Sequence, residues 1–236
     1  MKQFIYHIKF LAAISGGAML MLAGVLNYPV KVDQETHKLI SPDGSPAENQ
    51  ILLTIDDSPM ARSTGKILEI LDRHDVPALF FINGYLIENQ PGSEDLIKKI
   101  DRKGHLVGNH TWNHSNLAEL DSTETFEEIN SLQEKIEELI GYKPYYFRPP
   151  YGDHNDYLRA LMDDMNMQSM NWSAMSFDWN YKDTDDPDEI VELTMQQVHH
   201  GANILFHDRK ISAKAVDRVI EKLHAEGYEF VLPDQN

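Results

Sequence analysis

The sequence predicts an α/β domain in which parallel strands alternate with helices around a barrel. Short apolar segments alternate with segments of helical periodicity from about residue 51 onward. Such alternation is typical of a parallel sheet covered by helices, either closed as a barrel or open and doubly wound. The polar residues that stand out nearly all follow the ends of apolar segments, and catalytic side chains of barrels gather at that rim. We therefore predict a barrel.

The individual elements follow from periodicity and from local start and stop signals. The helix over 121–140 has the clearest ends, because Asp121 and Glu124 have the spacing of a capping box and Gly141 follows the last turn. The predicted strands span 51–55, 78–82, 106–108, 145–147, 168–172, 203–206 and 229–232. The other predicted helices span 63–74, 93–102, 154–164, 186–199 and 211–226.

The composition excludes several classes of site and partner. The 236 residues include no cysteine, which excludes disulfides, thiolate catalysis and zinc–thiolate sites. Any metal must therefore be held by histidine and carboxylate side chains. The formal net charge of −17 argues against nucleic acid and against an anionic membrane surface as partners, whereas a neutral glycan is compatible with it.

The N-terminal residues predict export. Lys2 and Lys9 precede an apolar stretch over 10–26, so residues 1–26 have the pattern of a signal peptide or of a signal-anchor that would tether the chain to a membrane. Residues 27–49 are polar and contain several prolines, so we predict a linker there and the folded domain over 50–236. The protein is thus expected to be secreted, periplasmic or associated with the cell envelope.

Two adjacent carboxylates, Asp56 and Asp57, close the first predicted strand, and Pro59 prevents the strand from continuing. Adjacent carboxylates repel each other and stay ionised only beside positive charge, which a metal ion and an arginine together would supply. The alternative interpretation is a solvated Asp-Asp-Ser turn without a function.

The pair His110 and His114 has a spacing that suits one metal ion. Residues four apart lie on one face of a helical turn, so both imidazoles could bind the same ion, with Asp57 as a third ligand. Two histidines and one carboxylate leave coordination positions open, as a catalytic site requires. A surface pair or a capping histidine is the alternative, since His-x-x-x-His is a weak pattern by itself.

Taken together and in order, the motifs that close the predicted strands resemble those of the polysaccharide deacetylases of the NodB-homology type, carbohydrate esterase family 4. The resemblance covers roughly residues 50–233 and includes the sequence around His110, from Gly104 to Trp112. It implies a distorted (β/α) barrel with a metal at its rim. The motifs are Asp56-Asp57, His110 with His114, Arg148-Pro149-Pro150-Tyr151-Gly152, Asp178-Trp179 and Leu205-Phe206-His207.

The resemblance also implies a role for each matched position. Asp56 corresponds to the general base and Arg148 to the residue that pairs with it. His207 corresponds to the general acid, and Asp178 to the carboxylate that orients it. The implied metal ligands are Asp57, His110 and His114. The implied oxyanion and substrate-binding positions are the Tyr151 backbone N–H, Pro150, and the apolar wall of Trp179 and Leu205.

The activity implied is the metal-dependent removal of N-acetyl groups from a polysaccharide that contains N-acetylglucosamine, such as peptidoglycan or chitin-type oligomers. A metal-bound water attacks the amide carbonyl, Asp56 takes a proton from it, and His207 protonates the amine that leaves. Zinc fits this chemistry because it lowers the pKa of its bound water to about 7, although Co²⁺ or another divalent ion would also serve. An amine leaves badly unless it is protonated, which is why an acid must face the base.

Three other functions are compatible with parts of this pattern. An esterase that removes O-acetyl groups, as from xylan, would use nearly the same residues and depend less on His207, because an alkoxide leaves more easily than an amine. An iron oxygenase also uses two histidines and one carboxylate, but such ligands normally lie on an all-β scaffold and Asp56 would have no role there. An exported glycan-binding protein with an inactive site would be expected to have lost a matched position.

Two positions depart from the family pattern, and several histidines remain outside it. Ser58 stands where glycine is usual, so a positive φ would strain the turn, or the hydroxyl would contact the substrate or the metal ligands. Met175 stands where an aspartate is frequent, and altered packing or subsite contacts are expected.

The remaining histidines are interpreted as structural or solvated, with the pair 199–200 placed at a helix C-terminus: His105, His154, His199, His200 and His224.

Overall fold

A computed structural model of the chain describes residues 30–153 and 156–235. The strands are β1 (Lys31–Val32), β2 (Leu39–Ile40), β3 (Gln50–Ser58), β4 (Leu79–Ile82), β5 (Leu106–Asn109), β6 (Tyr146–Phe147), β7 (Gln168–Ser169), β8 (Ala174–Met175), β9 (Asn203–His207) and β10 (Glu229–Phe230). The helices are α1 (Thr64–His74), α2 (Gly84–Asn89), α3 (Ser93–Arg102), α4 (Ser122–Ile140), α5 (Asp156–Asp164), α6 (Asp188–Met195) and α7 (Lys210–Ala225).

The main sheet is parallel and curls into a distorted barrel, which confirms the predicted fold class. Its strands follow the order β7-β6-β5-β4-β3-β9-β8, and β10 pairs with the start of β3. The two ends of this order, β7 and β8, are consecutive in the chain, and no ladder joins them in the residues described. The barrel is therefore open along one seam, between β7 and β8.

The longest strand, β3, shows how the sequence fills the two sides of the sheet. Its side chains alternate, as in any strand. Leu53 and Ile55 belong to the large core between the sheet and the helices, whereas Leu52 packs in a second core with Phe81 and Tyr146. The inner positions of β3 become polar towards the carboxyl end of the strand. The barrel interior thus changes from apolar to polar along its axis and is polar at the rim.

Residues 30–49, for which the sequence predicts a linker, are folded against the barrel instead. Strands β1 and β2 form an antiparallel hairpin, and the Leu39 N–H donates to the Gly201 carbonyl at 2.7 Å. The hairpin places buried apolar side chains in the second core, which they share with β3, β4 and β6: Val30, Val32, Leu39 and Ala47. Because each strand has only two residues, the apolar alternation is too short to be recognised among prolines and polar residues.

Most helix boundaries agree with the sequence, and the exceptions are short elements. The predicted capping box of α4 is confirmed, and the helix ends at Gly141 with a φ of 87°. Helix α6 ends at Met195, so the expectation that it continues to residue 199 is wrong. Helix α2 and strand β8 were not predicted, since six and two residues give too little periodicity. Among the residues that the structure describes, no helix is long and apolar enough to cross a bilayer. The predicted signal or anchor segment 1–26 lies outside it.

Candidate active site

The carboxyl end of β3 directs its two acidic side chains to different places. Asp56 remains in the strand, registers with His207 of β9, and is buried inside the rim. Asp57 adopts a left-handed backbone with a φ of 55°. An aspartate tolerates this conformation better than most side chains do. The Asp57 carboxylate is 40% exposed and lies above the rim. One carboxylate is therefore enclosed and the other faces the opening of the barrel.

Both histidines of the His-x-x-x-His pattern lie beside Asp57, although not on a helical turn as the spacing predicts. They lie in an irregular loop after β5, in which Thr111 and His114 have φ values of 66° and 57°. The two rings are 4.9 Å apart between centroids. The Asp57 Oδ1 atom is 3.9 Å from His110 Nε2 and 3.5 Å from His114 Nε2. The loop conformation, rather than helical periodicity, brings the rings together.

These three donors fit a divalent metal ion. One ligand atom from each of Asp57, His110 and His114 lies within 4.8 Å of the other two. Ligands about 2.1 Å from one tetrahedral zinc ion are separated by roughly 3.4 Å, close to the two distances from the Asp57 oxygen. His110 Nδ1 lies 2.7 Å from the Arg148 carbonyl oxygen, which can only accept, so Nδ1 carries the proton and Nε2 keeps its lone pair for a ligand. Burial lowers the pKa of His110 to about 3, which keeps this imidazole neutral.

Asp56 is held by Arg148 at the centre of the barrel. The guanidinium Nη1 donates to Asp56 Oδ1 at 2.6 Å and to the Thr54 hydroxyl at 2.9 Å. Its other nitrogens donate to the carbonyls of Met170 and Asn171, next to the open seam of the sheet. Burial raises the pKa of Asp56, and the charge of Arg148 opposes that rise without cancelling it. Burial thus makes Asp56 a stronger base than an exposed aspartate, and Arg148 limits the effect.

On the opposite side of the cleft, His207 is paired with Asp178. The His207 Nδ1 atom donates to Asp178 Oδ1 at 2.8 Å, and the His207 backbone N–H donates to Oδ2 at 2.8 Å. The Ser212 hydroxyl donates to the same Oδ2. Burial alone lowers the pKa of His207, but the hydrogen bond and charge of Asp178 outweigh it and raise this pKa to about 9. Burial alone raises the pKa of Asp178, and its bonds to His207 and Ser212 bring it below the usual value.

The expected substrate-binding positions surround this cleft. Tyr151 has a φ of 63° and is 66% exposed, and its ring lies 5.1 Å from the His114 ring. Trp179 is 44% exposed, with its ring 5.3 Å from that of His207. Leu205 is buried two residues before His207, so both side chains face the barrel interior. Pro150 is buried and begins the 3₁₀ turn that carries Tyr151.

The two departures from the family pattern lie in different surroundings. Ser58 remains in β3 without a positive φ, because the left-handed residue is its neighbour Asp57. The Ser58 hydroxyl donates to Asp208 Oδ2 at 3.0 Å, and the backbone N–H of Met60 also donates to that oxygen. Ser58 therefore contacts a buried carboxylate rather than the predicted metal ligands. Met175 lies in β8, where its main chain bonds to the side chain of Gln197.

Sequence reasoning missed the residues that support the site from other elements. Asp208 is buried and accepts hydrogen bonds from Ser58 at the end of β3 and from Met60 after it. The Ser212 hydroxyl donates to the carboxylate partner of His207. Asp208 directly follows His207 in the sequence, and this adjacency is the signal that could have identified it. No pattern pointed to Ser212. His200, expected at a helix C-terminus, lies beyond the end of α6 and accepts the Asn49 backbone N–H.

The described residues contain one other cluster of potential ligands, between α1 and α7. His74 Nε2 lies 2.7 Å from Asp217 Oδ1, and Glu221 is nearby. The Arg73 guanidinium contacts the same Asp217 oxygen. A guanidinium at this position neutralises the carboxylate and repels a metal ion, so we interpret the cluster as an ion-pair network.

The chain is similar in sequence to known proteins. A family model described as polysaccharide deacetylase matches residues 43–170. Peptidoglycan-N-acetylmuramic acid deacetylase PdaC of Bacillus subtilis (strain 168) is 36% identical over 211 residues, which cover 87% of this chain and 43% of PdaC. The chain thus spans less than half the length of that relative.

Solved structures agree with the sequence comparison. The Bc1960 peptidoglycan N-acetylglucosamine deacetylase superimposes with a TM-score of 0.72 and 32% identity, covering 78% of this chain and 86% of that one. BA3943 of Bacillus anthracis, described as a CE4 family pseudoenzyme, gives 0.72 and 31%, covering 79% and 64%. The family model matches more than half of the sequence, and the solved structures share the curled parallel sheet whose rim carries the matched motifs. The chain therefore belongs to the polysaccharide deacetylase family.

Proposed function

We propose that the protein is a metal-dependent hydrolase that removes N-acetyl groups from the amino sugars of peptidoglycan. One observation carries this proposal. Three potential metal ligands meet at the barrel rim, with a carboxylate base on one side and a charged imidazole acid on the other. Amide hydrolysis needs these functions together: a polarised carbonyl, an activated water, and a proton for the departing amine.

Asp57, His110 and His114 would hold the ion, and their oxygen and nitrogen donors favour Zn²⁺, with Co²⁺ or another divalent ion as a substitute. Bound there, the ion would polarise the acetyl carbonyl and lower the pKa of the attacking water to about 7. Asp56 would accept the proton of that water. Arg148, hydrogen-bonded to the other Asp56 oxygen, would hold the carboxylate in place during this transfer.

His207 would supply the proton that the amine needs in order to leave. With a pKa of about 9, its imidazole is charged at neutral pH. Its Nδ1 proton is held by Asp178, so the Nε2 proton is the one that can be donated into the cleft. When the carbon–nitrogen bond breaks, this proton goes to the sugar nitrogen. The pKa values of both groups are shifted upward: burial makes Asp56 a stronger base, and Asp178 keeps His207 protonated as the acid.

Tyr151, Trp179 and Leu205 would bind the acetyl group between these two sides. The left-handed backbone of Tyr151 lies beside His114, which supports its N–H as a donor to the developing oxyanion. Such a donor contributes roughly 3–4 kcal/mol in enzymes. Leu205, with Pro150 and the Trp179 ring next to His207, would surround the acetyl methyl with apolar surface.

Peptidoglycan is the substrate class favoured by the relatives. PdaC is named for N-acetylmuramic acid and Bc1960 for N-acetylglucosamine, the two sugars that alternate in this polymer. Action on peptidoglycan would require export, which agrees with the signal peptide or membrane tether predicted over 1–26. Each reaction would convert a neutral amide into an amine that is cationic at neutral pH.

The test is mass spectrometry of products from a panel of acetylated glycans. The panel contains peptidoglycan fragments, N-acetylglucosamine oligomers and acetylated xylan, each incubated with metal-loaded and with chelated protein. We expect a loss of about 42 mass units per event from the amino sugars, dependent on the metal. Reaction with acetylated xylan alone would establish an O-acetyl esterase instead. Absence of reaction with every glycan would support a non-catalytic binding protein.

A further inference from the structure

The loop that carries both histidines has an unusual backbone that other parts of the protein must maintain. Thr111 and His114 have left-handed φ values of 66° and 57°, which are uncommon for residues other than glycine. Such conformations persist where the surrounding structure fixes them. This backbone sets the direction of the His114 Cα–Cβ bond and thereby the space that the ring can reach. Whatever fixes the loop therefore fixes one of the three ligands.

The N–H groups in the middle of this loop bond to one residue of α4, Glu128, while helix α2 donates to two of the loop carbonyls. Its Oε2 accepts the Asn113 backbone N–H at 2.8 Å, and its Oε1 accepts the Asn113 side-chain amide at 2.7 Å. The Ser115 hydroxyl donates to Oε1 at 3.3 Å. The Glu128 carbonyl accepts the Trp112 backbone N–H at 2.9 Å. Three consecutive donor groups of the loop, one on Trp112 and two on Asn113, thus bind a single glutamate.

Burial makes these contacts obligatory for Glu128. The residue is only 9% exposed, and no lysine, arginine or histidine of the described chain forms an ion pair with it. A buried carboxylate without a cationic partner depends on the hydrogen bonds that it accepts. Here the donors come from the loop between the metal ligands. The conformation of the loop and the hydrogen bonding of the Glu128 carboxylate therefore depend on each other.

We propose that Glu128 is a positioning residue of the metal centre. This inference rests on the proposed function, because it assigns Glu128 a role in metal binding rather than in the fold alone. The carboxylate holds the peptide of Asn113, the residue immediately before His114, and so directs that imidazole towards Asp57. Outer residues that orient metal ligands typically change affinity by about 10–100-fold when they are replaced.

The test is the dissociation constant of Zn²⁺, measured by competition with a chromophoric chelator. Glu128→Gln offers an amide N–H to one of the two Asn113 donors, so one contact becomes repulsive. We expect its dissociation constant to rise about 10–100-fold. Glu127→Gln is the matched control, because it removes the same charge from the exposed adjacent position of α4. Its dissociation constant is expected to stay within about threefold of the wild-type value.

A double substitution separates hydrogen bonding from a general loss of structure. In Asn113→Asp/Glu128→Gln, the glutamine oxygen again accepts the backbone N–H of residue 113. Its amide now donates to the new carboxylate, so both contacts and the net charge are restored. We expect this variant to recover Zn²⁺ binding to within about threefold of wild type, and to recover the d–d absorption spectrum of bound Co²⁺. A double variant as weak as Glu128→Gln would overturn the proposal, as would equal affinities of the Glu128→Gln and Glu127→Gln proteins.

Circular dichroism of the chelated proteins verifies that each variant is folded, and should Glu128→Gln not fold, the double variant decides the question alone. Failure of the proposed function has a different signature. A wild-type protein that binds no Zn²⁺ contradicts the metal centre itself. A wild-type protein that binds Zn²⁺ and deacetylates glycans, with unchanged affinity in Glu128→Gln, contradicts only the role of Glu128.

Discussion

Replacing Arg148 by methionine removes the cation that faces Asp56 and keeps an apolar side chain of similar length. The Arg148 side chain is fully buried and donates to Asp56, Thr54 and the carbonyls of Met170 and Asn171. Removing one partner of a buried ion pair lowers the free energy of unfolding by about 3–5 kcal/mol, because the remaining buried charge has no partner. For a chain of this size that loss lowers Tm by roughly 6–20 °C.

A double-mutant cycle with Asp56→Asn measures the coupling between the two residues. Asp56→Asn removes the charge that Arg148→Met leaves unpaired. We therefore expect the double variant to be more stable than Arg148→Met alone, with a coupling free energy of about 2–3 kcal/mol. The measurement is urea unfolding of the four proteins in the presence of chelator, so that metal binding does not contribute. Arg218→Met is the control, since its ion pairs with Asp186 and Asp188 are exposed and contribute at most about 1 kcal/mol. Zero coupling, or an equal loss of stability in Arg218→Met, would refute the argument.

Three further predictions concern His207, Ser58 and Gly84, which lies against Trp112 in the loop after β5. As the proposed acid, His207 must be protonated to act, and its pKa is about 9. We therefore expect kcat/KM to fall as pH rises through about 9, and a His207→Gln protein to lack that limb. A profile whose alkaline limb lies near 6.5 would contradict this. Ser58→Ala should cost about 1 kcal/mol of stability by removing the bond to Asp208, and its deacetylation rate should stay within a few-fold of wild type, which a rate assay with thermal unfolding checks. A Cβ at Gly84 would lie 2.6 Å from the Trp112 ring and 2.9 Å from its Cα, so Gly84→Ala should displace the loop and weaken Zn²⁺ binding; unchanged Zn²⁺ affinity in a chelator competition would show that the loop can adapt.

The sequence predicted the fold class and the polar residues that follow the strand ends because these depend on local signals, whereas the role of each residue came from the family resemblance. A nine-residue strand such as β3 and the capping box at Asp121 are long or specific enough to be recognised without tertiary context. The same holds for the residues at the barrel rim. In parallel sheets the carboxyl ends of adjacent strands meet, so Asp56 of β3 and His207 of β9 are brought together by topology alone.

Tertiary contacts determined what the sequence could not predict. His110 and His114 suggested a helical turn, but bonds from Glu128 and from α2 hold the loop in another conformation. The pKa of Asp56 is raised, whereas its pairing with Arg148 suggested the opposite, because burial outweighs the ion pair. The hairpin over 30–49 resembled a linker because its buried side chains are widely spaced along the chain. In each case the deciding partner is distant in sequence.

The most direct test of the metal centre is the acetate released by chelated protein as Zn²⁺ is added in known amounts. Because Asp57, His110 and His114 are proposed to bind one ion together, we predict that the rate rises linearly and saturates at about one ion per chain. The His114→Ala protein should need a much higher Zn²⁺ concentration and reach a lower rate. Full activity in the chelated protein, or a titration that His114→Ala does not alter, would contradict the account.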